Sequence, residues 1–300
     1  MKKIVLFLFV YYIVITKAFA GILVLQSDFG LKDSAVAEMK GVALQVDKDI
    51  TIVDNTHLIN QFDVWDGAYR LFQSIKTFPK NTVFVSVVDP GVGTDRKSIV
   101  VKTKDSHYIV TPDNGTITFV EQEVGLLEAR EIDETKHRLK NSENSHTFYG
   151  RDVYAYTGAK LASKDISFKD VGKKIDLKNL KRFNFEKQSF KKGVLNGTIS
   201  ILDVNYGNVW TNIDRKFAEK NLLKQGKKYD VLITDGKRKI TIKSVPYTDT
   251  FGNVKKGEPV LYINSLDYVA IALNMDNFAK KYNIKYGPSV KVSILNKNNK

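Results

Sequence analysis

The chain has 300 residues, 43% of them hydrophobic, and a formal net charge of +14. That length suggests about two domains, and the apolar share is enough for packed cores. With no cysteine and only four histidines, the composition excludes disulfides, thiolate zinc sites and a cysteine nucleophile. The histidines neither cluster nor form an H-E-x-x-H pattern, so no metal centre is expected.

The first twenty residues stand apart. Lys2 and Lys3 precede an apolar run from Ile4 to Ile15, and Ala18-Phe19-Ala20 follows. This is the basic, apolar and A-x-A order of a secretory signal peptide. The run is short for a membrane span. Cleavage near Gly21 therefore predicts an exported protein, periplasmic or secreted, with no stable membrane span after cleavage.

From Gly21 onward, short β runs alternate with helical periods. Ile22-Leu23-Val24-Leu25 reads as a buried strand ending at Ser27-Asp28-Phe29-Gly30. Val36, Met39, Ala43 and Val46 recur at helical spacing, with Asp33 or Ser34 placed to cap the start. A second strand, Ile50 to Val53, ends at Asp54-Asn55-Thr56-His57, and a second helix covers about Asp63 to Ile75. Thr82 to Val88 reads as a third strand closing on Asp89-Pro90-Gly91-Val92-Gly93. This alternation predicts right-handed βαβ units and a mainly parallel sheet with helices, spanning residues 21–172. Ligands of such sheets bind at the carboxyl ends of strands, where the loops beginning at Asp28, Asp54 and Asp89 lie.

Residues 173–192 carry eight basic side chains against Asp176 and Glu186. Phe183, Phe185 and Phe190 follow no RNP, KH or zinc-finger pattern, so the segment reads as a solvated basic linker and no specific nucleic-acid partner is expected. Beyond it, residues 193–300 change texture. Gly193–Asp203, Val209–Ile213, Asp230–Thr234, Ile240–Ile242, Val260–Ile263 and Val290–Ile294 are strand-like, and Phe217–Leu223 is the one clearly helical stretch. A smaller β-barrel-like domain is predicted there.

The glycine-rich loop after Asp89 lacks both G-x-x-x-x-G-K-[ST] and G-x-G-x-x-G, so it supports no phosphate cradle. Alone, Asp-Pro-Gly is a turn, Asp28 a helix cap, and Asp113-Asn114-Gly115 another turn. The ordered series says more. Ser27-Asp28-Phe29-Gly30, Met39-Lys40-Gly41, Val88-Asp89-Pro90-Gly91-Val92-Gly93-Thr94 with Arg96, and Pro112-Asp113-Asn114-Gly115 come first. Thr147-Phe148-Tyr149-Gly150-Arg151-Asp152 and Tyr206-Gly207-Asn208-Val209-Trp210-Thr211-Asn212-Ile213 continue it. In this order and spacing, across nearly the whole chain from Gly21, it resembles the S-adenosylmethionine (SAM) hydrolase (adenosine-forming) family. These hydroxide adenosyltransferases are related to fluorinases and chlorinases.

The resemblance implies an α/β N-terminal domain, a β-barrel-like C-terminal domain, and a homotrimer whose sites lie between subunits. SAM would be substrate, with no cofactor. Asp28 would hold the ribose hydroxyls, because a carboxylate accepts from both. Phe29, Phe62 and Gly150 would lie beside the substrate, and Phe148 and Trp210 would pack on it. Asn208 would meet adenine or ribose edges, Asp203 the methionine ammonium, and Ser265 the methionine carboxylate or nearby polar atoms. Asp89, Arg96 and Tyr149 would be the catalytic group.

One position departs from the family. Its hydrolases carry histidine in a T-F-H-G-R-D motif where this chain has Tyr149. The halogenating relatives also have tyrosine there, but they replace the aspartate that Asp89 preserves. His146, three residues upstream, is a possible substitute. The expected reaction is hydrolysis of SAM to adenosine and L-methionine. The alternatives are halide attack giving a 5′-halo-5′-deoxyadenosine, and an exported adenosine- or SAM-binding protein with little turnover.

Overall fold

The computed structural model describes residues 21–296; the signal-peptide reading of residues 1–20 lies outside them. The N-terminal part runs β1 (Ile22–Ser27), α1 (Ala35–Val46), β2 (Thr51–Thr56), α2 (Val64–Ile75), β3 (Val83–Val87), β4 (Ser98–Thr103) and β5 (Tyr108–Pro112). It continues through α3 (Thr118–Glu123), β6 (Leu126–Glu131), a π-helical turn (Gly150–Ala155), α4 (Tyr156–Ala162) and β7 (Lys174–Ile175).

These strands form one sheet in the order β2-β1-β3-β5-β4-β6-β7. The four from β2 to β5 pair in parallel, and β4, β6 and β7 add antiparallel pairs at one edge. β1 and β3 are almost wholly buried, as continuous apolar runs covered on both faces must be. Helix α2 buries Trp65, Ala68, Tyr69, Leu71, Phe72 and Ile75, the three- and four-residue spacing of one helical face. Asp63 starts it by accepting the Asp66 amide at 3.0 Å. Ser34 precedes α1 without capping it; Asp33 accepts the Ala35 amide instead, at 3.0 Å.

The register pairs Ser27 of β1 with Val87 of β3. The loops bearing Asp28 and Asp89 therefore leave the same carboxyl edge side by side, which is the feature of the fold that builds the site.

The C-terminal part comprises β8 (Ser189–Lys191), β9 (Val194–Leu202), β10 (Val209–Asp214), α5 (Arg215–Asn221), β11 (Lys228–Asp235) and β12 (Arg238–Pro246). β13 (Pro259–Ile263), β14 (Tyr268–Leu273), α6 (Phe278–Tyr282) and β15 (Val290–Asn296) complete it. The sheet is antiparallel in the order β12-β11-β15-β9-β10-β14-β13, and a bridge from Tyr247 to Leu261 brings its two edges close to closure as a barrel. Along β10, Val209, Thr211 and Ile213 point to the core while Trp210, Asn212 and Asp214 are half-buried, the period of two that a one-sided sheet requires.

Two elements beyond the basic stretch escape a local reading. β14 is a nearly unbroken apolar run with no alternation, and α6, at five residues, is too short to display a helical period. The basic stretch also differs from a freely solvated connection. Phe183 and Phe185 pack edge-on against Trp65, with centroids 5.2 and 5.1 Å away. Arg182 forks onto Glu121. Lysine chemistry alone suggests a solvated strap; the phenylalanines between the lysines turn inward because Trp65 offers an apolar wall. The Trp65 indole N–H also donates to the Ser200 carbonyl at 2.6 Å, tying α2 to β9. No helix among the described residues is long and apolar enough to cross a membrane.

Candidate active site

At the carboxyl edge of β1 and β3 lies a cavity of about 290 Å³ lined by Asp28, Phe29, Gln61, Phe62, Asp89 and Tyr149, with Val87, Val92, Thr147 and Gly150 completing the wall. Its carboxylates are held differently. Asp28 Oδ2 accepts the Phe62 amide at 2.8 Å. Burial pushes the Asp28 carboxyl above its ordinary value, hydrogen bonds from backbone amides oppose this, and the nearby Asp89 charge adds to the rise.

Phe62 is an unusual residue. Its φ is +64°, a left-handed conformation that costs a bulky side chain about 1–3 kcal/mol. Its ring is nevertheless 71% exposed. Neither feature serves the packing of this chain. The residue lines the cavity while most of its surface is open to solvent.

Asp89 takes a two-point fork from Arg96, Oδ1 to Nε at 3.0 Å and Oδ2 to Nη2 at 2.7 Å. The two side chains are only 6% and 10% exposed. Burial disfavours the guanidinium charge, but Tyr154, Asp89 and Glu134 more than offset it, so Arg96 is a fixed cation. Burial, and then the Asp89 charge, hold the Tyr154 phenol well above its ordinary value. It stays protonated and donates to Asp89 Oδ2 at 3.4 Å. Arg96 Nη1 also donates to Ser98 Oγ, 3.0 Å.

Tyr149 lies between two cations. The Arg96 guanidinium carbon is 4.7 Å from its ring centroid and that of Arg138 is 4.5 Å. Glu134 balances the second cation, accepting from Arg138 Nη2 at 2.8 Å and from Ser98 Oγ at 2.9 Å. Asp89, Arg96, Ser98, Glu134, Arg138 and Tyr149 thus form one continuous network. Its charges pair off, Asp89 with Arg96 and Glu134 with Arg138.

Gly150 opens the π-helical turn that follows. A Cβ there would stand 2.8 Å from the Phe29 ring, so only glycine lets the two segments meet. Phe148 packs edge-on against Phe29 at 5.7 Å and beneath Arg151 at 4.8 Å, without lining the cavity itself. Arg151 pairs with Glu38 of α1 and with Asp152, which locks the motif onto α1. His146 is exposed and does not line the cavity.

The remaining sequence-derived residues gather elsewhere. Asp203 and Asn208 approach at 3.5 Å (Oδ2 to Nδ2), and Trp210 Nε1 donates to the Tyr262 hydroxyl at 3.3 Å. Asn208 helps line a second concavity of about 690 Å³ with Tyr206, Phe251 and Met275, which shares no residue with the first. Ser265 is exposed in the turn before β14. Within one chain, then, Asp28, Phe29, Phe62, Asp89, Tyr149 and Gly150 come together, and Asp203, Asn208, Trp210 and Ser265 do not join them.

Sequence reading missed Tyr154, Ser98, Glu134 and Arg138. The only local signal for the last two is their acid-to-base spacing of four residues, the ordinary spacing of a surface pair. A third cavity, about 370 Å³, lies between α2, α3 and β10, walled by Phe72, Phe119, Phe185 and Tyr268. None of the motif residues named for catalysis or substrate lines it.

Two family models match the chain. SAM hydroxide adenosyltransferase N-terminal domain covers residues 23–172, and SAM hydroxide adenosyltransferase C-terminal domain covers residues 197–291. Among similar proteins, a fluorinase of Actinoplanes sp. (strain N902-109) is 33% identical over 298 residues, covering 91% of this chain and 97% of its own. An (R)-S-adenosyl-L-methionine hydrolase of Methanocaldococcus jannaschii is 32% identical over 281 residues, covering 90% of this chain and 95% of its own. Among solved structures, an uncharacterized conserved protein from Thermotoga maritima superposes with a TM-score of 0.80 at 31% identity. That match covers 91% of this chain and 99% of the other.

Proposed function

The chain belongs to the SAM hydroxide adenosyltransferase family, and on that premise we propose that it hydrolyses SAM to adenosine and L-methionine by attack of water on C5′. The observation carrying this reading is the Asp89–Arg96 fork at the cavity wall, with Asp28 beside it. A C–O bond forms at C5′ as the C–S bond breaks. The sulfonium leaves as neutral methionine, so the protein need not protonate the leaving group. The water's proton goes to solvent. What the site must supply is alignment of that water with C5′ and sulfur, and stabilisation of its growing hydroxide character. Arg96 suits the second task, and Asp89, fixed by the fork and by Tyr154, suits the first.

Halide attack is the second reading, favoured by the likeness to proteins named fluorinase. Asp89 at the cavity wall weighs against it: even forked by Arg96, a carboxylate beside the nucleophile is a poor neighbour for an anion. Incubating the protein with SAM in H₂¹⁸O, with and without chloride or fluoride, separates the readings by mass spectrometry. Adenosine labelled at its 5′ oxygen is the expected product. A halonucleoside, or binding with no product, overturns hydrolysis.

We also propose that the complete site forms between chains of a homotrimer. The concavity containing Asn208 carries exposed Tyr206 and Met275, and the cavity containing Asp28 carries exposed Phe62. Apolar side chains left in water at both rims are what a contact between copies would cover. Asp28→Ala and Asp203→Ala chains, each inactive alone, are expected to regain activity when refolded together. A trimer of two Asp28→Ala chains and one Asp203→Ala chain contains one intact shared site. Absence of recovery in mixed trimers verified by native mass spectrometry refutes the shared site.

A further inference from the structure

Ser27, His57 and Asp54 stand in hydrogen-bonded line next to the Asp28 loop, and none of them lines the cavity. Ser27 Oγ lies 2.7 Å from His57 Nδ1, and His57 Nε2 lies 3.2 Å from Asp54 Oδ1. Lys40 of α1 completes the row, its ammonium 2.6 Å from Asp54 Oδ2. The order is that of a serine nucleophile triad, but Ser27 is fully buried (0% exposed) and no substrate can reach it. The row needs another purpose.

Counting protons supplies one. The Asp54 carboxylate can only accept, so Nε2 of a neutral ring must donate to it; the Ser27 hydroxyl, whose oxygen accepts the Phe29 amide at 3.3 Å, then donates to His57 Nδ1. Nδ1 is then the acceptor, and Nε2 carries the hydrogen that points at Asp54. The backbone carbonyl of the same histidine accepts the Gly30 amide at 2.8 Å. His57 thus grips the chain at Ser27 with its ring and at Gly30 with its carbonyl, and Asp28 is held between.

We propose that His57, as the neutral Nε2–H tautomer, is a positioning residue that sets Asp28 in its ligand-facing geometry. The consequence for substrate rests on reading Asp28 as the ribose-binding carboxylate; the grip itself does not. A protonated ring would turn Nδ1 into a donor aimed at a hydroxyl that must then find a new acceptor. Burial opposes that protonation, the Asp54 carboxylate favours it, and the Lys40 ammonium disfavours it; the balance lies below the ordinary histidine value. Those two, on β2 and α1, are the charged groups facing the ring.

Three measurements test this. First, ¹⁵N chemical shifts of His57 at pH 7.5 are expected to report a bare Nδ1 and a protonated Nε2. The opposite tautomer or a doubly protonated ring overturns the proposal. Second, amide exchange at Gly30 and Phe62 is expected to rise about tenfold or more in His57→Ala, the loss of roughly one buried hydrogen bond. Unchanged exchange in a folded variant overturns it equally. Third, adenosine affinity is expected to fall about tenfold in His57→Ala, the same energy read at the ligand. KM for SAM should rise with it, while kcat changes far less. In His57→Asn, whose side-chain oxygen replaces Nδ1 as acceptor, part of the affinity should return. Wild-type affinity should also drop as pH falls through a value below about 6.5; His57→Asn should lose that component and keep only the more acidic fall set by protonation of Asp28 itself. A kcat loss without a KM change, or the same acid limb in His57→Asn, argues against positioning. If the wild type binds no adenosine, the reading of Asp28 fails, and the tautomer and exchange results still decide the grip.

Discussion

Arg96→Ala is expected to lower kcat by about 10³-fold, the upper range for removing one preorganised transition-state donor. The expectation follows from geometry. Arg96 is the cation that fixes Asp89 by a two-point fork; it does not itself line the cavity, and its charge, just behind that carboxylate, favours hydroxide character growing on the attacking water. Its loss also strands a carboxylate that is only 6% exposed. Removing one partner of such a pair destabilises by about 3–5 kcal/mol, so the alanine variant can lose its fold along with its activity. Asp89→Asn separates the two effects. It keeps the shape and one acceptor oxygen for Arg96 and Tyr154 but removes the charge. It is expected to cost about 10²-fold or more in kcat while adenosine binding, read by calorimetry, changes little. Retention of near wild-type kcat in a folded Asp89→Asn protein refutes the assignment of the fork to the reacting water.

The second large effect runs the other way: Tyr149→His is expected to raise kcat by about 10²-fold, the low end for gaining a general base. A phenol beside an attacking water donates a hydrogen bond readily but takes a proton poorly. An imidazole in the same place would stand between the Arg96 and Arg138 guanidiniums, each within 4.7 Å of the present ring. Two flanking cations disfavour imidazolium, so the introduced histidine is neutral and able to accept the water's proton. The sign of the pH dependence follows. The basic form is active, the flanking charges lower its pKa beneath the usual value of about 6.5, and activity should be flat above that value and fall below it. Wild type should lack this limb, apart from any contribution from His57. Losing the stacked ring costs about 1–2 kcal/mol, a modest drop in Tm. A folded Tyr149→His protein no faster than wild type would falsify the idea that Tyr149 limits turnover.

Much of this molecule was legible in the sequence because the relevant signals are local. Continuous apolar runs for β1 and β3, the helical period of α2 and turn residues at each strand end specify a parallel half-sheet. Once the strands are parallel, Asp28 and Asp89 must emerge at one edge, and pairing Ser27 with Val87 sets them side by side. The ordered motifs name the family by residue type and spacing alone. What tertiary structure decided is what residues far apart in the chain do to one another. Nothing near Tyr149 foretells that its ring is flanked by Arg96, 53 positions earlier by numbering, and by Arg138 from the segment after β6. Nor does a Ser-Asp-Phe-Gly motif disclose that His57 holds it from both ends. The folded chain likewise separates Asp203, Asn208 and Trp210 from the Asp28 cavity, although the motifs imply one ligand. Periodicity reports which face of an element is apolar; burial, charge pairing and ring stacking depend on which faces meet, and only the packed chain brings those faces together.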